Sequence, residues 1–226
     1  MQKTWRFIKK LFIVLFILQF VYILLCKWVN PPITITQMVS WVEGNGLNRD
    51  YINYTEMGEH IKLAVIASED QRFASHNGFD VKAIKKAVDY NEKHPGRTRG
   101  ASTISQQVAK NVFLWQHGGY FRKALEVYFT FMIELLWSKQ RILETYLNVA
   151  EMGNGIFGIQ AAAKAYFNKD ADKLTRPEAA MIAACLPNPK VYTVKPPGRY
   201  VTKRYQQILK QMNNLTGFKE IEGLLE

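Results

Sequence analysis

The sequence predicts a mainly α-helical domain carried behind one membrane-spanning helix. Three observations carry that expectation. An apolar run at residues 11–26 follows four cations, with no acid before it. Beyond residue 56 apolar residues recur at helical spacing, and alternating strand-like segments are scarce. Finally, carboxylates, amides, hydroxyls and cations gather between residues 64 and 123 in segments that are otherwise apolar, where a folding core has no need of them.

The chain has 226 residues. That length suits one anchor and one domain of roughly 170–190 residues, enough for a sizeable core. Thirty Lys and Arg against 19 Asp and Glu leave a formal net charge of +11, which points to an anionic partner. With an apolar anchor in front, a membrane surface or a lipid phosphate fits better than nucleic acid, which an exported chain would not meet. Cys26 and Cys185 make no disulfide framework and read as buried or membrane-adjacent thiols.

Taken in order, residues 1–10 hold Lys3, Arg6, Lys9 and Lys10 and read as a cytoplasmic basic segment. The apolar run, interrupted by Gln19 and Tyr22, extends through Trp28 and Val29 to give a membrane span at 11–29. It ends in Leu24, Leu25, Cys26, Lys27 and Trp28, without the small residues of a cleavage site, so an uncleaved signal anchor is expected. Pro31 and Pro32 stop the helix, and residues 30–55 read as a linker and irregular approach containing Gly44 and Gly46. The domain is expected at 56–226.

Ile61, Ala64, Val65 and Ser68 share a helical face that leads into Glu69. Val81, Ile84, Lys85 and Val88 define the next helix, closed by His94, Pro95 and Gly96. A polar loop of Arg97, Thr98, Arg99 and Gly100 precedes a helix through Gln106 and Lys110. Gly118 and Gly119 break the chain before a long helix at about 120–137, and another follows at 138–149. Gly153, Gly155 and Gly158 make a turn before a helix at 161–167. Thr175 and Glu178 form a capping-box start for a helix at 179–186. After a Pro-rich loop, residues 199–212 form a last amphipathic helix.

Three groups carry chemistry. Glu69 and Asp70 stand at the mouth of an apolar helix, a partly desolvated setting of the kind general acid/base groups use. A lone helix-end acid is ordinarily solvated, and a lone His76 is ordinarily structural; His76 is read as loop support. Ser102, Thr103, Ser105, Gln106 and Gln107 follow Gly100 at a helix start, an arrangement suited to phosphate or sugar oxygens, where an ordinary N-cap needs one hydroxyl. Lys110 and Asn111 come a turn later. Arg122, Lys123 and Glu126 share one face of the long helix. They form either an intrahelical salt bridge or, if that face lines a cleft, a receptor for pyrophosphate. Glu69 and Glu126 would then be a carboxylate pair from two helices, as glycosyl chemistry uses.

Together these segments resemble the peptidoglycan glycosyltransferase family, found as the transglycosylase domain of class A penicillin-binding proteins and as stand-alone, monofunctional biosynthetic transglycosylases. The match runs through Glu69, Asp70, Gln71, Arg72 and Phe73 with His76 and Gly78. It continues through Gly100 to Asn111, then Arg122, Lys123 and Glu126, then Lys139, Ile142, Leu143, Glu144, Tyr146, Leu147 and Asn148. It ends in Gly155, Gly158, Ala162, Tyr166 and Phe167. The family's Gly-Gly appears as Gly100-Ala101 and its following Thr as Ser105, both small changes. With the sequence ending at Glu226, no transpeptidase domain is expected.

The resemblance implies a lysozyme-like helical fold that polymerises lipid II by inverting β-1,4 transfer and releases undecaprenyl pyrophosphate. It implies Glu69 as general base and Glu126, with Arg122 and Lys123, at the departing pyrophosphate. Ser102, Thr103, Gln106, Gln107, Lys110 and Asn111 would line sugar and phosphate subsites. No cofactor is required by it, though a divalent cation, Mg or Mn, is allowed at the leaving group. The implied setting is the bacterial inner membrane with the domain in the periplasm, beside lipid II, growing glycan and other cell-wall synthesis or division proteins. Phe113, Leu114, Trp115, Phe121, Tyr128 and Phe129 are expected to divide between core and a membrane-facing patch.

Two rival readings stay open on the residues. A lysozyme-like lytic enzyme would need one catalytic Glu and leave the Arg-Lys-Glu cluster and anchor without a role. A non-catalytic envelope scaffold would need neither carboxylate.

Overall fold

The computed structural model describes residues 2–96, 100–116 and 118–226; the expected loop residues Arg97, Thr98 and Arg99 lie outside the described residues. The chain runs α1 (Gln2–Leu25), α2 (Ile35–Val42), β1 (Asn48–Arg49), α3 (Glu59–Glu69), α4 (Val81–Lys93), α5 (Ile104–Phe113) and α6 (Tyr120–Leu136). It continues α7 (Lys139–Val149), β2 (Glu151–Gly153), β3 (Ile156–Phe157), α8 (Ile159–Phe167), α9 (Arg176–Cys185), α10 (Arg199–Leu215) and α11 (Lys219–Leu225). The mainly helical expectation holds.

Helix α3 is the axis of the domain. Every residue from Ile61 to Ala67 is buried, so it has no solvent face over its middle. Its neighbours explain this: α9 and α10 pack along it, and α11 covers part of it. Ala179, Ala180, Ala183 and Ala184 of α9 are all fully buried, and their small side chains let the helices approach closely. The one charge in the buried run, Lys62, donates from Nζ to the Leu225 carbonyl at 2.8 Å and lies 3.8 Å over the Tyr54 ring. Burial holds its ammonium below the usual lysine range, while nearby Glu59 opposes that shift. A second layer sets α5 against both α6 and α7.

Three segments depart from the sequence expectation. The stretch expected to be irregular contains α2, started by a capping box in which Thr34 and Gln37 exchange backbone and side-chain bonds. It also contains β1, which pairs parallel with β3 while β2 pairs antiparallel with it. Strands of two or three residues are too short to show an alternating pattern. Gly155, at the turn between β2 and β3, has φ +68°, and a Cβ there would fall 2.0 Å from the Asn45 carbonyl oxygen. That contact explains how this tight turn and the approach segment fit together. Helix α11 follows the last expected helix and closes over α3.

Helix α1 is long and apolar enough to cross a membrane, reaching about 36 Å at 1.5 Å per residue. It is one continuous helix from Gln2, so the basic segment is helical too, and it ends at Leu25, before Pro31. Its C-terminal end is docked on the domain. Gln19 Nε2 donates to the Tyr128 hydroxyl at 2.8 Å, Trp137 Nε1 to the Ile23 carbonyl at 3.0 Å, and Arg141 Nε to the Cys26 carbonyl at 3.0 Å. Tyr22 meets Phe113 edge-on, and Phe113 stacks on Phe129 with ring centroids 4.8 Å apart. The expected aromatic division is visible: Leu114 is buried and Phe113, Tyr128 and Phe129 are half-buried, whereas Trp115 and Phe121 are exposed. Val127, Phe131 and Leu135 continue the exposed apolar side of α6.

The approach segment is held by Asn148, fully buried on α7. Its Oδ1 accepts from the Ile52 N–H at 3.0 Å and its Nδ2 donates to the Ile52 carbonyl at 2.9 Å. Replacing Asn148 by Leu leaves both backbone groups unpaired and is expected to cost about 2–4 kcal/mol. Thermal unfolding in detergent should show a Tm lower by roughly 5–15 °C. An unchanged Tm would mean that this pairing contributes nothing to the fold.

Candidate active site

Glu69 is the last residue of α3, and Asp70 immediately leaves the helix. The two neighbouring carboxylates therefore face different ways. Asp70 is buried. It accepts the Ile104 N–H at the start of α5 at 3.1 Å, and both its oxygens lie 3.0 Å from His76 Nε2. His76 is thus loop support, as read from the sequence. Lys139 reinforces the same loop, donating to the His76 carbonyl at 2.6 Å and to Glu134 at 2.7 Å, with its ammonium 4.6 Å from the Phe73 ring centre. Ser105 donates to Glu134 as well. Gly78 closes the loop at φ +86°, where a Cβ would fall 2.7 Å from Thr130 Cγ2.

Glu69 is half-buried and opens into a cleft of about 720 Å³. Its Oε2 accepts from Gln107 Nε2 at 2.9 Å and its Oε1 from the Ser68 hydroxyl at 3.1 Å. Gln107 is steadied in turn by the Tyr146 hydroxyl, which donates to its Oε1 at 3.4 Å. Tyr146 stays protonated well beyond the usual tyrosine range because it is wholly buried, and the Glu69 charge pushes in the same direction. Both partners of Glu69 donate to it, so each of its oxygens is an acceptor.

The expected hydroxyl and amide set divides. Ser102 is exposed on the cleft wall and Gln107 reaches Glu69. Thr103 and Gln106 instead form the capping box of α5: Gln106 N–H donates to Thr103 Oγ1 at 3.2 Å and Thr103 N–H to Gln106 Oε1 at 3.0 Å. The Thr103 hydroxyl also donates to the Gly78 carbonyl at 2.6 Å. Both side chains are buried; Thr103 still lines the cleft, whereas Gln106 does not. Asn111 Oδ1 accepts from Gln116 Nε2 at 3.0 Å, which also reaches Thr36 beside the start of α2.

Arg122, Lys123 and Glu126 form a separate group on α6. Glu126 is only 3% exposed and accepts from Arg122 Nη1 at 2.7 Å and from Lys123. Arg122 Nε is buried without a partner among the described residues, so this guanidinium retains donor capacity. None of the three lines the cleft that holds Glu69. Lys110 links the two groups. Its ammonium is held below the usual lysine range, first by burial and then by the charges of Arg122 and Lys123, while Glu126 and Glu69 both oppose the shift. Its field therefore spans both carboxylates. A divalent cation would find a poor fit at Glu126, whose carboxylate already carries two cationic partners. Among the described residues no three His, Cys, Asp or Glu converge on a metal site.

Sequence reasoning missed Tyr200 and Arg204 of α10 and Lys82 and Lys86 of α4, which also line the cleft. Arg204 Nη2 donates to the Ser68 carbonyl at 2.8 Å across 136 positions of sequence. No local pattern announces such a contact; the amphipathic register of α10 was the only signal available.

Comparison with known proteins identifies the family. The family model described as Transglycosylase matches residues 36–213. A protein of Pseudomonas putida (strain GB-1) named biosynthetic peptidoglycan transglycosylase is 50% identical over 203 residues, covering 87% of this chain and 86% of the relative. One of the same name from Mannheimia succiniciproducens is 55% identical over 169 residues, covering 75% and 69%. A third, from Pseudomonas aeruginosa, is 49% identical over 203 residues, covering 87% of each. With this coverage by the family model and by relatives of about 50% identity, the chain belongs to the transglycosylase family of glycosyl-transferring enzymes.

Proposed function

We propose that this chain polymerises lipid II into linear peptidoglycan strands by inverting β-1,4 transfer, releasing undecaprenyl pyrophosphate. The observation that carries the reading is the separation of the two carboxylates, one in a hydroxyl- and amide-lined cleft and one clamped by cations, with Lys110 in the field of both. A hydrolase can use a second carboxylate but releases no pyrophosphate, so it has no need of the cations that clamp this one.

In this reading Glu69 takes the proton from the 4-hydroxyl of the GlcNAc of the incoming lipid II. That oxygen attacks C1 of the lipid-linked chain, a new C–O bond forms, and the bond from C1 to pyrophosphate breaks. The bonding pair leaves on the pyrophosphate oxygen, where Arg122, Lys123 and Lys110 answer the developing charge. Glu126 orients the two α6 cations. Ser102 and Gln107 contribute sugar contacts, Thr103 and Gln106 hold the α5 start in place, and Asn111 lies along the same helix face. The cations of residues 2–10 belong on the cytoplasmic side of the inner membrane and the domain in the periplasm. Anchor and substrate then share one surface, which raises their effective concentration.

Incubation with labelled lipid II should give a ladder of long glycan. Glu69→Gln should lower its rate by about 10²–10⁴-fold, and Glu126→Gln by about 10²–10³-fold. Shortening of preformed glycan without new polymer would favour a lytic enzyme; binding with neither product would favour a scaffold.

The half-buried setting of Lys110, beside Arg122 and Lys123, gives a pH test. Its ammonium loses its proton at lower pH than an ordinary lysine, so kcat/KM should fall early on the alkaline side. Arg stays charged, so Lys110→Arg should carry activity further up in pH, even at a lower maximum. Superimposable alkaline limbs would exclude Lys110 from the charge balance of the reaction.

A further inference from the structure

Transfer between two lipid-linked sugars involves two pyrophosphates, and the Arg122–Lys123 cluster answers only the one that leaves. The other belongs to the acceptor and remains attached to it. The cleft around Glu69 carries its own cations: Arg72, Lys82, Lys86 and Arg204. The acids beside them are already engaged. Asp70 is held by His76 and the Ile104 N–H; Asp80 pairs with Arg72 at 2.8 Å and accepts the Ala83 N–H at 2.9 Å. These bonds hold Asp80 below the usual carboxylate range although burial pulls the other way.

Lys82 and Lys86 stand one turn apart on α4, both exposed, with no ion-pair partner among the described residues. Of the cleft cations, Arg72 is paired with Asp80 and Arg204 donates to the Ser68 carbonyl, which leaves Lys82 and Lys86 as the two with no hydrogen-bond or ion-pair partner among the described residues. They lie in the Glu69 cleft, which none of Arg122, Lys123 and Glu126 reaches. The exposed apolar residues of the same helix, Val81, Ile84 and Val88, lie on the roughly opposite face, so it is the cationic side of α4 that lines the cleft.

We propose that Lys82 and Lys86 bind the pyrophosphate of the acceptor, so that α4 holds the incoming lipid-linked disaccharide with its free hydroxyl at Glu69. This rests on the polymerase reading. The two pyrophosphates then occupy different cation groups, and neither competes for the other's site.

The test uses full-length protein in detergent and a short-chain lipid II analogue, with binding stoichiometry read by calorimetry. The wild type should bind two equivalents, Lys82→Gln/Lys86→Gln one, and Arg122→Gln/Lys123→Gln one. In a turnover assay with a donor chain blocked at its 4-hydroxyl, the α4 double variant should raise KM for lipid II as acceptor about tenfold with kcat kept. It should leave unchanged the KM for a disaccharide-peptide methyl glycoside, which has no phosphate. An α4 variant that still binds two equivalents, or an equal loss for the phosphate-free acceptor, would overturn the proposal; the latter would assign the lysines to peptide carboxylates. Failure of the wild type to polymerise would count against the polymerase reading, while the stoichiometry would still decide the α4 site.

Discussion

The carboxylate of Asp70 is the joint on which this site depends. It closes α3 by leaving it, accepts the first N–H of α5, and takes the His76 ring from the following loop. A buried carboxylate requires such partners, since an unpaired one costs several kcal/mol. The end of α3, the loop that follows it and the distant start of α5 are thereby brought to one point. Glu69, one residue earlier, is the beneficiary: with its neighbour immobilised, it is directed to Gln107 and the open cleft. Lys139, Glu134 and Ser105 repeat the same logic one layer further out and tie the loop to α6 and α7.

The second constraint is the membrane. Helix α1 is more than a tether, because Gln19, the Ile23 carbonyl and the Cys26 carbonyl just beyond its end bond Tyr128 of α6, Trp137, and Arg141 of α7. The exposed apolar side of α6 then lies on the helix that carries Arg122, Lys123 and Glu126. Under the proposed function the substrate head group sits at the bilayer surface; the cations would then be held at a set height relative to the anchor and the search for substrate confined to a surface.

Much of this was legible before any coordinates. The apolar face running into Glu69, the i, i+3 and i, i+4 spacing at Glu126, and the anchor with its basic start are local patterns, and local patterns survive folding. Other features were hidden by their nature. Thr103 and Gln106 stand out in sequence as candidate ligand groups, and nothing in the spacing alone shows that they also form the capping box of α5. Helix α2 is eight residues long and lies between Pro31-Pro32 and the glycines at 44 and 46, so breaker residues masked its own capping box. Arg204 and the two lysines of α4 enter the cleft through tertiary packing, which periodicity does not encode.

The central claim is that the two carboxylate groups serve one displacement in which a glycosidic bond forms as a lipid pyrophosphate leaves. The most direct measurement is ³¹P NMR of a lipid II reaction, compared with a count of new glycosidic bonds in the same sample. The account predicts one free lipid pyrophosphate for each bond formed, with the two rising together. Bond changes in glycan without matching pyrophosphate release would contradict it.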